Sequence, residues 1–398
     1  MKHKRLIIVL AVLAVPALWL FYASYASPPK GPMGEFVPPD EDVYTAQIIN
    51  SGISMLRATR EVVGDGTYRR DAHAKTHGCM LASFTPKPNL EPALRQGVFA
   101  DPKTHNAWIR FSSGSTSIQS DWQPDARGMA IKVLGVPGLK LLDGEQDAHT
   151  QDFLMINNPV FFIRNVQEYS VLTQYQGQGS QFGYFFRGSK NPSRWELREF
   201  RIGLGILKFP PKNLLATQFY SMTAYRLGAQ NNVKYSAKPV GCSAKESVPG
   251  TWAGFGSNAL GADLSDQLKS VPRFCFDLMV QLQVPEKNMP VEDTTIEWKE
   301  SDSPFVPVAR IEIQKQDITQ AMQSGFCENL SFTPWHTLPE HQPLGGLNRV
   351  RKAVYQGISR YRRCMNHIAF GEPKDDGSLF FDRKTCDPRE PVPLITQR

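Results

Sequence analysis

The sequence predicts an α+β protein whose strands form an antiparallel sheet or barrel surrounded by helices. Three observations carry this. Short alternating or β-branched runs bounded by turn residues recur at 107–112, 128–134, 274–284 and 306–313, as half-buried strands do. Helix-like stretches at 40–63, 165–176, 192–207 and 345–363 lie between them without a regular βαβ rhythm, which argues against a doubly wound sheet. Aromatic residues make up 11% of the 398 residues, with 23 Phe, enough to fill a large interior or line a flat pocket. The composition, 41% apolar and 21% charged, excludes collagen, a coiled coil and bulk disorder, and no internal repeat is present.

In chain order, Lys2-His3-Lys4-Arg5 precedes an uncharged apolar run from Leu6 to Ala23, just long enough to span a bilayer. The basic flank predicts a cytoplasmic amino terminus with the body across the membrane, in the periplasm or an equivalent space. Residues 1–26 are read as a signal anchor. Small residues at Ser24-Tyr25-Ala26 keep a cleaved signal peptide, and hence secretion, as the alternative. Residues 27–40, with five prolines and two glycines, read as an extended spacer. The body is assigned to 41–366. It opens with an amphipathic helix carrying Val43, Ala46, Ile49, Ile53 and Leu56, stopped by Gly64-Asp65-Gly66. Asn191-Pro192 marks a helix start, with Pro in the first turn. Residues 367–398 form a polar tail, expected at the surface. The six cysteines have wide spacings that match no metal pattern; disulfides and buried thiols both remain open.

Charge and motifs exclude several classes. The formal net charge is +7, and Lys2, Lys4 and Arg5 account for three of the 45 basic residues. Without them the balance is 42 basic to 38 acidic and no basic stripe appears, so nucleic acid is not an expected partner. No Gly-x-Gly-x-x-Gly follows a strand, and neither a phosphate-binding loop nor a Gly-x-Ser-x-Gly elbow is present. His73 and His77 are spaced by four, but without a neighbouring glutamate they do not make a metal pair.

Four segments remain: RRDAHAKTHG (69–78); WIRFSSGS (108–115) with DARGMAIKV (125–133); DFLMINNPVFFIRN (152–165); and RVRKAVY (349–355) on a predicted helix. Arg351 and Tyr355, four residues apart, face the same side of that helix. A guanidinium beside a phenol favours the phenolate, and tyrosinate is a known axial ligand of haem iron. Such a pair alone is more often a surface stacking contact.

Together, and in this order along the chain, HAKTHG, IRFSS, DARGMAIKV and NNPVFFIRN resemble the haem catalases. The likeness runs from about residue 66 to 366 and is closer to the small catalase-related proteins, a group that also contains hydroperoxide-converting enzymes. LSFTPWHTLPEHQPLGGLNRVRKAVY (330–355) looks like the characteristic end of that group. The resemblance implies a catalase-like antiparallel β-barrel with surrounding helices, preceded by the transmembrane segment, and haem b as cofactor. Its implied substrate is hydrogen peroxide or an organic hydroperoxide, with a small organic reductant as a further partner and an oligomeric assembly open.

Residue by residue, His73 matches the distal histidine, which moves a proton between peroxide oxygens as a general acid–base. Ser112 matches the serine that orients it. Asn157 matches the distal amide, with Asn158 the alternative because typical catalases carry one more residue before Pro-Val-Phe-Phe. Phe161 matches the phenylalanine over the haem face, and its ordinary alternative is core packing. Arg70 and Arg110 match arginines that pair with haem propionates, a task suited to their two-pronged donors. Tyr355 would be the iron ligand and Arg351 its charge partner. Ala72 stands where typical catalases carry valine, and the proximal motif lacks its central phenylalanine and its Pro-Asp-Thr continuation. These departures imply a more open pocket. The expected activity is haem-dependent decomposition of hydrogen peroxide, with an organic or fatty-acid hydroperoxide peroxidase or isomerase as first alternative and a non-catalytic haem-binding module as second.

Overall fold

The alternating runs pair into a single antiparallel sheet that closes on itself. The computed structural model describes residues 32–207, 213–242, 256–368, 370–373 and 375. Its strands are β1 (Thr76–Pro86), β2 (His105–Ser113), β3 (Arg127–Leu134), β4 (Thr150–Ile156), β5 (Phe219–Tyr220), β6 (Tyr225–Leu227), β7 (Asn231–Val240), β8 (Arg273–Leu282) and β9 (Phe305–Gln314). They run in the order β5-β4-β3-β2-β1-β9-β8-β7-β6, and an added β5–β7 pairing shuts the ring. Eight strands therefore form an antiparallel barrel, and β6 hangs from β7. Among the described residues, closure leaves no unpaired wall strand in the barrel.

Alternation along each strand sends one set of side chains inward. Phe84, Ile109, Phe111, Ile131, Phe219, Phe276 and Ile311 are all fully buried. Phe99 and Phe153 stack with Phe84, and Tyr235 meets Phe153 edge-on with centroids 5.0 Å apart. Aromatic pairs of this kind add about 0.5–1.5 kcal/mol each beyond area burial. The high Phe content thus fills the barrel, and a functional site falls on its outside, where helices cover it.

Those helices are α1 (Glu41–Val63), α2 (Val166–Gly177), α3 (Gln181–Phe186), α4 (Leu197–Ile206), α5 (Ala259–Ser270), α6 (Ala321–Asn329) and α7 (Gly346–Met365). α1 starts with Glu41 and Asp42 at the positive end of the helix dipole and ends at Gly64, whose φ of 73° is cheap only for glycine. Its apolar stripe, Ile48, Ile49 and Leu56, packs on Val350, Val354 and Ile358 of α7 and Val166 of α2. A Cβ at Gly52 would lie 2.5 Å from Ile358 Cδ1, so Gly52 permits this close crossing.

Several expectations need correction. The helix expected over 192–207 is a 3-10 turn, Pro192–Arg194, capped by Asn191, then an extended Trp195, then α4. Strands β1, β4, β5, β6 and β7 and helices α3, α5 and α6 were not predicted. The spacer is docked over its last residues: Glu35 Oε1 accepts from Gly345 N at 2.8 Å and pairs with Arg349, while Phe36 O accepts from Arg349. The polar tail is likewise pinned at its start, where Glu372 enters a buried pocket beside Lys132. The cysteines are oxidised: Cys79 bonds Cys327, Cys242 bonds Cys275, and Cys364 is also disulfide-bonded. The apolar segment 6–23 lies outside the described residues, among which no helix is long and apolar enough to cross a membrane.

Candidate functional site

His73 sits in the loop that leads into β1, with φ of 57°. A histidine in the left-handed region is uncommon and is held there by its surroundings. Here its backbone N–H donates to Gly114 O, its carbonyl accepts from Arg110 Nη2 at 2.7 Å, and its ring Nδ1 lies 2.9 Å from Ser112 Oγ. The register explains the placement. Ser112 pairs with Gly128 on β3, and Gly128 pairs with Ile156 on β4. A Cβ on Gly128 would come within 2.6 Å of the His73 ring and 2.9 Å of Ser112 Oγ. Gly128 is thus the floor on which the imidazole rests, a role hidden within the DARGMA motif.

Asn157, one residue beyond Ile156, clasps the same stretch of β3. Its side-chain oxygen accepts from Arg127 N at 2.8 Å, and its backbone N–H donates to Arg127 O. The Asn158 amide donates instead to Val160 O, two residues on. The fold thus brings Asn157 to the His73–Ser112 group through Arg127 and Gly128, and commits Asn158 to its own turn.

Burial, reinforced by Arg110, Arg351 and Arg70, pushes the His73 imidazole down to about 3. It is therefore neutral at physiological pH and can accept a proton at one ring nitrogen. Arg351 of α7 thus lies within electrostatic reach of His73. The Arg351 guanidinium carbon lies 4.9 Å from the Tyr355 ring centre, and its Nη1 donates to Asn348 Oδ1 at 3.0 Å. Burial opposes its charge, but Tyr355 and Tyr225 outweigh that and hold it protonated. Tyr355 and Tyr169 both pack on the α1–α2–α7 core, and Tyr169 meets Phe161 with centroids 6.2 Å apart. Phe161 thus joins the group through Tyr169.

Beside His73 lies an arginine cluster. Arg110 Nη2 also donates to Thr76 Oγ1, and its buried Nε has no protein partner. Arg70, expected to pair with a haem propionate, is held here by groups of the protein itself. It pairs with Glu328 at 2.9 Å and donates to the carbonyls of Cys327, Glu328 and Leu330. Arg362, which the sequence reading missed, donates to the Glu328 carbonyl at 2.7 Å and lies 3.7 Å from the Glu328 carboxylate. Its signal was present: it stands seven residues after Tyr355, on the same face of α7. Burial and the neighbouring Arg70 push Arg362 down to about 9 and hold Arg110 well below its usual value. Three guanidiniums thus crowd around the Glu328 carboxylate. The Asp71 carboxyl, which acts on Arg362, is raised by burial to about 6.

The haem that the motifs imply has two carboxylates, a flat apolar face and an iron that takes an axial anion. These residues fit it. The cluster has surplus positive charge and an orphaned buried donor, Arg110 Nε, both suited to a carboxylate. Burial is the leading influence on Asp71, His73, Tyr169 and Arg351, yet none of them is fully covered.

No protein-family model and no curated protein matches this sequence. Among solved structures it is similar to a fungal catalase (TM-score 0.58, 19% identity, covering 77% of this chain and 62% of that one). It is also similar to a bacterial catalase (0.58, 17%, 92% and 71%) and to catalase A from Saccharomyces cerevisiae (0.58, 18%, 85% and 75%). The chain spans less than two thirds of the fungal catalase's length. At these identities the likeness establishes a catalase-like fold.

Proposed function

We propose that this protein is a haem-dependent peroxide oxidoreductase acting outside the cytoplasm. The observation that carries the reading is the convergence of a neutral His73–Ser112 pair and a charge-surplus arginine cluster beside the Arg351–Tyr355 helix face. Tyr355 would hold the iron, with Arg351 beside it, and Arg70, Arg110 and Arg362 would hold the carboxylates. Haem supplies the two-electron oxidation–reduction that no amino-acid side chain here can perform.

The chain's own residues do the rest. With Nδ1–H given to Ser112 Oγ, the Nε2 of His73 is the acceptor. It takes the proton from one peroxide oxygen and delivers it to the other, which makes the second oxygen a water-like leaving group. Asn157 keeps its side-chain oxygen on Arg127, so its amide N–H groups are available to donate to peroxide. The oxidised cysteines support an extracytoplasmic location, because disulfides persist there, as does the apolar segment 6–23 after its basic flank.

One observation favours an organic hydroperoxide as second substrate class. Phe161, Phe162, Phe185 and Phe200 form a continuous aromatic path from Tyr169 towards α4. There Leu197 and Leu204 are exposed.

The test is haemin titration of the full chain followed by spectroscopy and turnover. Tyr355→Phe alters the ligand-field bands. His73→Ala keeps haem and loses 10²–10⁴-fold in peroxide reactivity, the usual range for a general acid–base. Oxygen release from hydrogen peroxide marks catalase action, and consumption of fatty-acid hydroperoxide without oxygen marks the second class. A chain that takes up no haem refutes both.

A further inference from the structure

The Cys79–Cys327 disulfide lies against the arginine cluster on both of its sides. Cys79 on β1 is paired in register with Arg110 on β2. Cys327, near the end of α6, precedes Glu328, and together with Leu330 these residues supply every carbonyl that holds Arg70. Two of those carbonyls, Glu328 O and Leu330 O, also hold Arg362. The disulfide therefore ties the strand pair that carries Arg110 to the segment that anchors the other two arginines.

α6 itself buries few side chains. Of its nine residues only Phe326 and Cys327 are buried, and Met322 is 69% exposed. Phe326 packs on Trp108 with ring centres 5.0 Å apart, and Gln323 donates to Cys79 O. The small cluster of Cys79, Trp108, Leu134, Phe326, Cys327 and Leu330 is separate from the barrel core. The second disulfide, Cys242–Cys275, joins the β7 end to β8 and is the natural control.

We propose that Cys79, Cys327 and Glu328 are positioning residues for a carboxylate-binding arginine cage, so that retention of a dicarboxylate cofactor depends on this disulfide. The proposal rests on the haem reading for the identity of the ligand, but its structural half stands without it. Glu328 acts by aiming Arg70 and Arg362, not by competing for them.

The experiment uses the full chain loaded with haemin. Haem transfer to excess apomyoglobin is followed by absorbance, and amide hydrogen exchange of 321–330 is measured on the same samples with and without haemin. Cys79→Ser with Cys327→Ser is expected to release haem at least tenfold faster and to lose exchange protection over 326–330. Cys242→Ser with Cys275→Ser is expected to leave both unchanged. Glu328→Gln, which keeps the backbone carbonyls and the disulfide, is expected to release haem about threefold faster. Slower release from Glu328→Gln would make it a competitor and overturn its positioning role. Retained protection in the Cys79/Cys327 variant would overturn the staple. If the parent chain takes up no haemin, the functional reading fails, and the exchange measurement still decides the staple. Should the serine pair not fold, the haemin-loaded Cys242→Ser/Cys275→Ser chain, reduced with a phosphine and alkylated, decides the question: haem release and 326–330 exchange unchanged from the unreduced sample would overturn the staple.

Discussion

Two buried charged clusters flank the β1–β4 side of the barrel, and they are built differently. Around Lys132, the ammonium pairs with Asp152 at 2.8 Å and with Glu372, and His336 bridges Asp152 and Glu145. Burial opposes the His336 charge, but Glu372, Asp152 and Glu145 outweigh it and raise the imidazole to about 9. With Arg363 acting on Glu145, positive and negative charges balance. Around Arg110 they do not: Arg70, Arg110 and Arg362 share Glu328, and Arg110 Nε is orphaned. In the balanced cluster the counter-charges all come from the fold itself. An unbalanced one has part of its counter-charge still to come, and that is what a binding site needs.

The comparison breaks first on stability. Lys132→Met leaves Asp152 and Glu372 buried without their cation and should cost about 3–5 kcal/mol in chemical denaturation. Arg110→Met in the other cluster relieves crowding, and the unliganded chain should unfold within about 1 kcal/mol of the parent. An Arg110→Met loss as large as that of Lys132→Met would remove the distinction.

The next largest effect is on pH. The folded pKa of His336 lies above its unfolded value, so its contribution is complete below about 6.5 and is lost as pH rises through about 9. The amount is on the order of 3 kcal/mol. His73 runs the other way: its folded pKa is depressed, so its contribution is present above about 6.5 and is lost as pH falls towards 3. Denaturation midpoints against pH should lose their alkaline slope in His336→Gln and part of their acid slope in His73→Gln. The smallest effect sharpens the binding side. Arg362→Met should weaken haemin affinity about tenfold, roughly 1.4 kcal/mol, with the Lys132 cluster undisturbed.

Much of the site was readable in the linear order of residues because each motif is local. His73 and Arg70 share one loop, and Arg351, Tyr355 and Arg362 share one helix at spacings of four and seven. Arg362 lies two turns beyond Tyr355 on the same face and carries no motif of its own. Gly128 and Glu328 were unreadable for another reason: their meaning is a contact with a residue far away in sequence, His73 in one case and Arg70 in the other. The same holds for strands β1, β4 and β7. Buried Asp152 on β4 and Lys234 on β7 interrupt the apolar alternation that marks a strand, because the Asp152 charge is met by Lys132 of β3 and Lys234 is stacked on Trp298.

By itself, the sequence determined the α+β class, the α1, α2 and α7 helices, four of the barrel strands and the residue types brought together at the candidate site. Periodicity and short spacings carry that information within a few turns of chain. Barrel closure through β5 and β7, the pairing of Cys79 with Cys327, and the imbalance of charge beside His73 belong to the tertiary structure. Each depends on which distant groups share a low-dielectric interior, and the energy of a buried charge is set by neighbours that the linear order does not name.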